Sequence, residues 1–123
     1  MIIGLGIDIV HVNRLRHWLT NPGLLERFFN EREIADAKSR RSAAVLSLAA
    51  RFATKEAFGK ALGTGLHGIR LKDIFVENNH NGKPHIKMYD TALQAFQRTG
   101  GKSIHVSLTH ERENAVSVVV IEG

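Results

Sequence analysis

The chain has 123 residues, of which 43% are hydrophobic and 24% are charged. This composition is typical of one folded domain and excludes a disordered or fibrous protein. Seventeen basic residues against twelve acidic ones give a net charge of +5, which favours anionic partners such as phosphorylated ligands, nucleic acids or acidic proteins. The absence of cysteine excludes a disulfide framework, thiol catalysis and cysteine-ligated metals. Because there is no membrane-length apolar run and no basic stretch of a signal peptide, we expect a cytoplasmic protein without membrane contact.

Residues 2–10 predict the first strand, because apolar residues alternate there with glycines and an aspartate. We expect the apolar side of this strand to be its core face. That side is formed by Ile3, Leu5, Ile7 and Ile9.

Three helices are predicted in the remainder of the first half. The first covers residues 11–19 and is closed by an Asn-Pro-Gly breaker. The second begins at Asn30, which forms a capping-box pattern with Glu33, and it extends to about residue 38. The third and strongest covers residues 42–62, which are rich in alanine and leucine and contain no proline.

The second half predicts four strands and one helix. Residues 71–77 and 84–89 form a hairpin around a polar turn, and a helix follows with Asp90 as its N-cap. Two further strands cover residues 103–109 and 115–122. The chain is therefore predicted to be one small α+β domain, residues 1–123, with a mainly antiparallel sheet and one long helix.

Asp8 is the first candidate for chemistry, because it interrupts the first strand on the side that carries Gly4 and Gly6. Carboxylates are disfavoured within strands, and glycines let a ligand or another backbone come close. We interpret Asp8 either as a carboxylate that a ligand holds or as a cap for the following helix.

The long helix carries charged residues on two neighbouring stripes. One stripe contains Phe52, Glu56 and Lys60, and the next contains Arg51 and Lys55. A simple Glu–Lys pair would contribute only about 0.2–0.5 kcal/mol. Three cations around one carboxylate would also suit a phosphate ligand with its Mg²⁺. Because Mg²⁺ binds one or two protein carboxylates, the aspartate of the first strand and the helix glutamate could share one ion.

The loop of residues 63–68 follows this helix and contains three glycines. It lacks the Gly-Lys-Ser/Thr ending of a phosphate-binding P-loop, so helix termination is the simpler interpretation and a phosphate cradle is the alternative. The seven histidines show no zinc-binding spacing. Among them His110 lies at the end of a predicted strand and has the best position for a functional role.

Four segments together resemble one family. They are GIDIV at 6–10, RFATKEAFGKALGTG at 51–65, NGKP at 81–84 and SLTH at 107–110. In this order and spacing, the chain resembles the bacterial holo-[acyl-carrier-protein] synthase type of 4′-phosphopantetheinyl transferase from end to end. The long lysine- and glutamate-containing segment is the most specific of the four.

The resemblance implies an activity that composition alone does not. Such enzymes move phosphopantetheine from coenzyme A (CoA) to a serine hydroxyl of acyl carrier protein, releasing adenosine 3′,5′-bisphosphate, and support fatty acid biosynthesis. The resemblance also implies Mg²⁺ held by Asp8 and Glu56, and trimers with active sites at subunit interfaces.

The same resemblance implies roles for individual residues. Glu56 and Lys60 are the expected catalytic residues, and Arg14 is expected to meet the acidic carrier protein. The expected CoA-binding residues are Arg51, Lys60, Gly63, Asn81, Gly82, Pro84 and His110.

Some expectations stay open at the level of sequence. Gly59 stands where many relatives have serine, so a hydroxyl contact to CoA would be missing. Arg40 and Arg41 do not align with the position that some relatives use for the 3′-phosphate. Either Glu56 or a metal-bound water would accept the proton of the attacking serine.

Three other functions compete with this interpretation. A nucleic-acid-binding module would need aromatic residues among its cations, and only Phe52 and Phe58 meet that condition; both suit a helix core better. A Mg²⁺-dependent phosphohydrolase would break down CoA without a carrier protein. A non-catalytic oligomer would leave Asp8 and Glu56 without a purpose. We therefore expect no nucleic-acid partner.

Overall fold

The computed structural model describes residues 1–123, which form five strands, four α-helices and three 3₁₀ helices. The strands are β1 (Ile2–His11), β2 (Ile74–Asn78), β3 (Pro84–Met88), β4 (Ser103–His110) and β5 (Asn114–Glu122). The α-helices are α1 (Pro22–Phe28), α2 (Glu31–Ser39), α3 (Ala44–Leu62) and α4 (Asp90–Arg98). The 3₁₀ helices cover Val12–Thr20, Arg41–Ala43 and Leu71–Asp73. No helix is both long enough and apolar enough to cross a membrane.

The strands form two separate sheets, and every strand pair is antiparallel. One sheet has the order β1-β5-β4, and the other is the β2–β3 hairpin. This confirms the predicted α+β class with antiparallel strands and one long helix. The division into two sheets was not predicted, because local patterns do not report which strands pair.

The predicted core face of β1 is wrong. Ile7 is 60% exposed, and its apolar neighbours on the same side are also exposed. The opposite side packs on α3, where a side chain on Gly4 or Gly6 would overlap backbone oxygens of Ala61 and Ala57. The glycines therefore bring strand and helix backbones into contact, and the apolar side is left without a partner within the chain.

Helix α3 lies across the inner face of the three-stranded sheet and divides the core in two. Leu48 belongs to one cluster, together with Leu15 and Phe29. Phe58 belongs to the second cluster, together with Ile121 of β5. Because most of α3 is buried, a charged residue that is exposed on this helix is a candidate for a functional role.

The helix boundaries before α3 were predicted only in part. Residues 12–20 form a 3₁₀ helix rather than an α-helix. The Asn-Pro-Gly breaker also opens α1, because the Asn21 side chain accepts a hydrogen bond from the backbone N–H of Leu24 and proline occupies the first turn. That helix was missed. The capping box of Asn30 and Glu33 is confirmed, with both reciprocal hydrogen bonds present.

Two predicted helix ends in the second half can be compared with the structure. Gly63 ends α3 in the left-handed conformation with φ 84°, as the helix-termination interpretation predicts. Asp90 is the first residue of α4, whereas Tyr89 occupies the N-cap position. The predicted cap is therefore displaced by one residue.

Candidate functional site

Asp8 and Lys60 meet where the glycine side of β1 packs against the end of α3. The Nζ of Lys60 donates to Oδ1 of Asp8 at 2.9 Å and to the carbonyl oxygen of Ile7 at 3.0 Å. The Asp8 side chain is 17% exposed and the Lys60 side chain is 55% exposed. The two residues are far apart in the chain, and the close strand–helix packing brings them together.

Glu56 lies one helical turn before Lys60 on the same side of α3. Partial burial and the nearby Asp8 carboxylate raise the pKa of Glu56, while Arg14 and Lys60 oppose that rise. Two carboxylates in one partly desolvated region repel each other until a cation binds to both. A cation bound between Asp8 and Glu56 would therefore relieve their repulsion.

The predicted arrangement of three cations around Glu56 is wrong. Lys55 is fully buried and bonds to Glu33 instead, and Arg51 is also directed toward α2. Lys60 pairs with the strand carboxylate and not with Glu56, so the simple i,i+4 pair does not form either. Because the two stripes face different neighbours, only one of the three lysine and arginine side chains remains beside Glu56.

Arg14 projects from the 3₁₀ helix that follows β1. Its guanidinium carbon lies 5.9 Å from the ring centroid of Phe52, and its charge acts on Glu56. Trp18 from the same 3₁₀ helix packs edge-on against Phe52, with 5.3 Å between ring centroids. Arg14 is thus an exposed cation at the border between an aromatic cluster and the two carboxylates.

A cavity of about 660 Å³ lies on the other side of α3. Four residues expected to bind CoA line it, namely Arg51, Gly82, Pro84 and His110. Its volume is within the range of small-molecule sites. Of the remaining residues expected to bind CoA, Gly63 and Asn81 lie outside its lining, and Lys60 belongs to the carboxylate group.

Asp36 and Arg40 line the same cavity; sequence reasoning missed Asp36 and left the role of Arg40 open. Asp36 accepts hydrogen bonds from both Arg51 and Arg40. Burial alone would raise the pKa of Asp36, but the two guanidinium groups outweigh it and hold that pKa below its ordinary value. Sequence spacing could have found the Asp36–Arg40 pair, whose members are four residues apart. It could not have found the contact with Arg51, which depends on how α2 packs against α3.

Gly59 has a structural reason that the sequence did not reveal. The backbone N–H of Gly65 donates to the carbonyl oxygen of Gly59 at 2.9 Å, so the loop after α3 folds back onto the helix. A side chain at position 59 would come within 2.9 Å of the Gly65 backbone and the Leu66 side chain. In this chain the returning loop fills the space that a serine side chain at position 59 would occupy.

The carboxylates of Asp8 and Glu56 suit magnesium better than zinc. Nowhere do three or more His, Asp or Glu side chains converge as a metal cluster. Two carboxylates with the remaining positions open suit Mg²⁺, which keeps water and phosphate oxygens as ligands, and they do not suit zinc.

The family follows from comparison with known proteins. Residues 4–119 match the model of the 4′-phosphopantetheinyl transferase superfamily. The chain therefore belongs to that superfamily and is an enzyme of the transferase class.

Its similar relatives place it within that superfamily. A holo-[acyl-carrier-protein] synthase of Treponema denticola is 60% identical over 123 residues, which is 100% of both chains. The same name is carried by a protein of Trichlorobacter lovleyi that is 46% identical over 100% of this chain and 99% of its own length. The chain belongs with the holo-[acyl-carrier-protein] synthases.

Solved structures agree with this placement. The crystal structure of the holo-[acyl-carrier-protein] synthase from Neisseria meningitidis matches with a TM-score of 0.89 at 28% identity, covering 100% of both chains. The enzyme from Bacillus anthracis, solved in complex with CoA (3′,5′-ADP), matches with a TM-score of 0.81 at 36% identity, covering 98% of this chain and 96% of the other.

Proposed function

We propose that this transferase moves the phosphopantetheine group of CoA to a serine hydroxyl of an apo-acyl carrier protein. The observation that carries the proposal is that Asp8, Glu56 and Lys60 lie close together where β1 packs against α3. Attack on a pyrophosphate needs negative charge neutralised on both the transferred and the departing phosphate. A carboxylate pair that can hold a cation, together with the Lys60 ammonium group, satisfies that need.

Asp8 and Glu56 would hold one Mg²⁺ ion between β1 and α3. When bound, the ion would neutralise charge on the pyrophosphate and orient it for attack. The raised pKa of Glu56 supports the assignment, because the repulsion that contributes to it is relieved when a cation binds beside both carboxylates.

Lys60 would contribute a second positive charge to the phosphates. Its ammonium group is attached to β1 by only two hydrogen bonds and its side chain is largely in solvent, so it can turn toward a ligand at small cost. In the same complex, Glu56 or a water bound to the ion would accept the serine proton.

The cavity on the other side of α3 would take the adenosine bisphosphate portion of CoA. Arg51 lies nine residues, or about two and a half helical turns, before Lys60, so the two side chains lie on opposite sides of α3. In a trimer with active sites at subunit interfaces, as the family resemblance implies, one CoA would lie between the cavity of one copy and the Asp8, Glu56 and Lys60 group of the next. Arg40 lines the cavity and bonds to Asp36, and it is our candidate for the 3′-phosphate contact that sequence alignment left open.

The carrier protein would dock beside Arg14. Acyl carrier protein is acidic, and this chain has a net charge of +5. Arg14 and the ring cluster around Phe52 present a cation and apolar surface side by side, next to the proposed metal site. A partner bound there would bring its serine close to Glu56.

We also propose that the protein is a homotrimer. Leu5, Ile7 and Ile9 are each about 60% exposed on the outer side of β1. They lie opposite valines of β5 in the same sheet, so the apolar surface is continuous. A second copy of this chain is the proposed occupant, and the number three rests on the family resemblance. Light scattering that finds a fully active monomer would contradict the trimer.

A cytoplasmic location and a role in fatty acid biosynthesis complete the proposal. The role in biosynthesis rests on the family resemblance, since acyl carrier protein is the carrier in that pathway, and the location rests on the sequence pattern described above. The magnesium requirement rests on the family resemblance and on the two-carboxylate geometry.

One experiment tests the transfer directly. Incubation with apo-acyl carrier protein, CoA and Mg²⁺ should increase the mass of the carrier by one phosphopantetheine group. A second incubation without carrier protein should leave CoA intact. Consumption of CoA in that control would favour a phosphohydrolase, and an unchanged carrier mass with folded enzyme would contradict the transfer.

A further inference from the structure

The interior contains a lysine–glutamate pair that takes no part in the chemistry proposed above. Lys55 of α3 and Glu33 of α2 are both 0% exposed, and Nζ lies 2.7 Å from Oε1. The Lys55 ammonium also donates to the carbonyl oxygens of Phe28 and Leu71, at 2.9 Å each. All three of its protons therefore have acceptors.

Glu33 is held just as completely. Its Oε2 accepts from the backbone N–H of Val76 at 3.1 Å, and its Oε1 also accepts from the backbone N–H of Asn30 at 3.2 Å. Its carbonyl oxygen accepts from Nη1 of Arg51 at 2.7 Å. No buried polar side-chain atom in the protein lacks a partner.

These bonds join the segments that would meet the two substrates. Phe28 ends α1, and its ring stacks on Trp18 in the aromatic cluster at the proposed carrier surface. Leu71 lies just before β2, and Val76 lies within it. The hairpin that begins with β2 supplies the cavity wall at Gly82. Lys55 connects both segments to α3 immediately before Glu56.

A buried ion pair is an expensive way to stabilise a protein, because its desolvation offsets most of its attraction. An apolar pair of the same volume would often be as stable, but it could not specify where three backbone carbonyl and amide groups must lie. The directional bonds of Lys55 and Glu33 can do so, since each points to a different segment.

We propose that Lys55 and Glu33 are positioning residues, which fix the carrier-side segment 22–29 and the hairpin 74–88 against the catalytic helix. This inference rests on the proposed function, because the roles of those two segments come from it. Neither residue touches a substrate; each acts through the backbone that it holds.

Glu33→Gln is the deciding variant, because it keeps the volume and an acceptor oxygen while removing the charge. Lys55→Met removes the ammonium group and is the stronger variant. The matched control is Ile121→Val or Ile121→Ala, whichever lowers the melting temperature by the same amount as Glu33→Gln. Ile121 is fully buried in the second core cluster and is not among the residues that hydrogen-bond to the pair.

Three quantities are measured on the folded proteins: hydrogen–deuterium exchange of residues 22–29 and 74–88, the Kd for adenosine 3′,5′-bisphosphate by calorimetry, and KM against kcat with carrier protein. We expect exchange in both segments to accelerate about tenfold in Glu33→Gln, with Kd and the carrier KM raised several-fold and kcat less affected. The isoleucine control should leave all of these near their original values.

If Glu33→Gln behaves like the control in exchange and in Kd, the positioning role is wrong and the pair serves only stability. If Lys55→Met does not fold, Glu33→Gln alone decides. A wild-type protein that modifies no carrier would contradict the proposed function instead, and the exchange comparison would still test the pair.

Discussion

Helix α3 carries two lysine–carboxylate pairs whose lysines are only five residues apart. The two pairs differ in burial and in the number of hydrogen bonds that each lysine makes. Lys55 and Glu33 are fully buried with every hydrogen-bonding group satisfied. Lys60 is 55% exposed, and its contact with Asp8 is one of only two bonds that it makes. Breaking the first pair would leave buried polar groups without partners, which is costly, whereas the exposed second pair can separate at small cost.

The difference follows from what each helix face meets. The Lys55 face packs against α2 and the chain before β2, so water is excluded there. The Lys60 face meets the glycine side of β1, where the close strand–helix packing brings Asp8 against a lysine whose side chain is still largely in solvent. The same residue type on one helix thus serves structure on one face and, in the function we propose, ligand binding on the other.

The largest expected effect is the loss of transfer in Asp8→Ala and in Glu56→Ala. Because both carboxylates would hold one ion, the double variant should be hardly worse than either single variant. The assay is the mass change of apo-acyl carrier protein at saturating Mg²⁺, with circular dichroism to confirm folding.

Glu113→Ala is the matched control, because it removes an exposed carboxylate from a loop between β4 and β5. It should retain full activity. Full Mg²⁺-dependent transfer by Asp8→Ala or Glu56→Ala would disprove the two-carboxylate site.

A large effect on stability is expected from Gly6→Ala. The added methyl group would overlap the Ala57 carbonyl oxygen, so β1 must move away from α3 and the Asp8–Lys60 contact must lengthen. We expect a loss of about 1–3 kcal/mol or more in the free energy of unfolding, measured in urea.

Gly23→Ala provides the comparison for that measurement. A methyl group there meets only the Asn21 side chain, at an ordinary distance of 3.5 Å. Its stability should be unchanged or slightly higher, since alanine is the better helix residue. Equal losses in both variants would mean that the close strand–helix packing is not what the glycine provides.

The β1 strand also shows where sequence reasoning succeeds and fails. Its alternation correctly predicted a strand, and the glycine side is the side on which Asp8 meets Lys60. The choice of core face was wrong, because hydrophobicity identifies apolar residues but does not say which side of a strand the rest of the chain covers. That information lies in tertiary packing and in assembly.

The lysines of α3 show the same limit. Sequence spacing correctly separated the Lys55 stripe from the Lys60 stripe, but it did not reveal that α2 covers the first one. Likewise, nothing local predicts that Asp36, which is four residues from Arg40, also joins Arg51 at the cavity. Contacts between distant segments depend on the fold, whereas periodicity reports only neighbours along one element.

A smaller effect, confined to one substrate, is expected from Arg14→Glu. We predict that KM for carrier protein rises about tenfold, which corresponds to about 1.4 kcal/mol. The KM for CoA should change little, because Arg14 lies at the aromatic cluster and not at the cavity.

The control is Arg98→Glu on α4, which makes the same charge change away from the aromatic cluster. It should leave both constants nearly unchanged. A rise in KM for CoA instead of carrier protein would place Arg14 with the phosphate-binding residues.

The smallest expected effect is the change in stability caused by Lys60→Met, and it tests the opening comparison most directly. An exposed ion pair contributes about 0–1 kcal/mol, so the free energy of unfolding should hardly change although transfer is lost. Lys55→Met breaks a buried pair and should lower that free energy by about 3–5 kcal/mol. Both values come from urea unfolding at the same pH and salt. If the two variants lose similar stability, the Lys60–Asp8 contact is as structural as the buried pair, and Lys60 is not free to turn toward a phosphate.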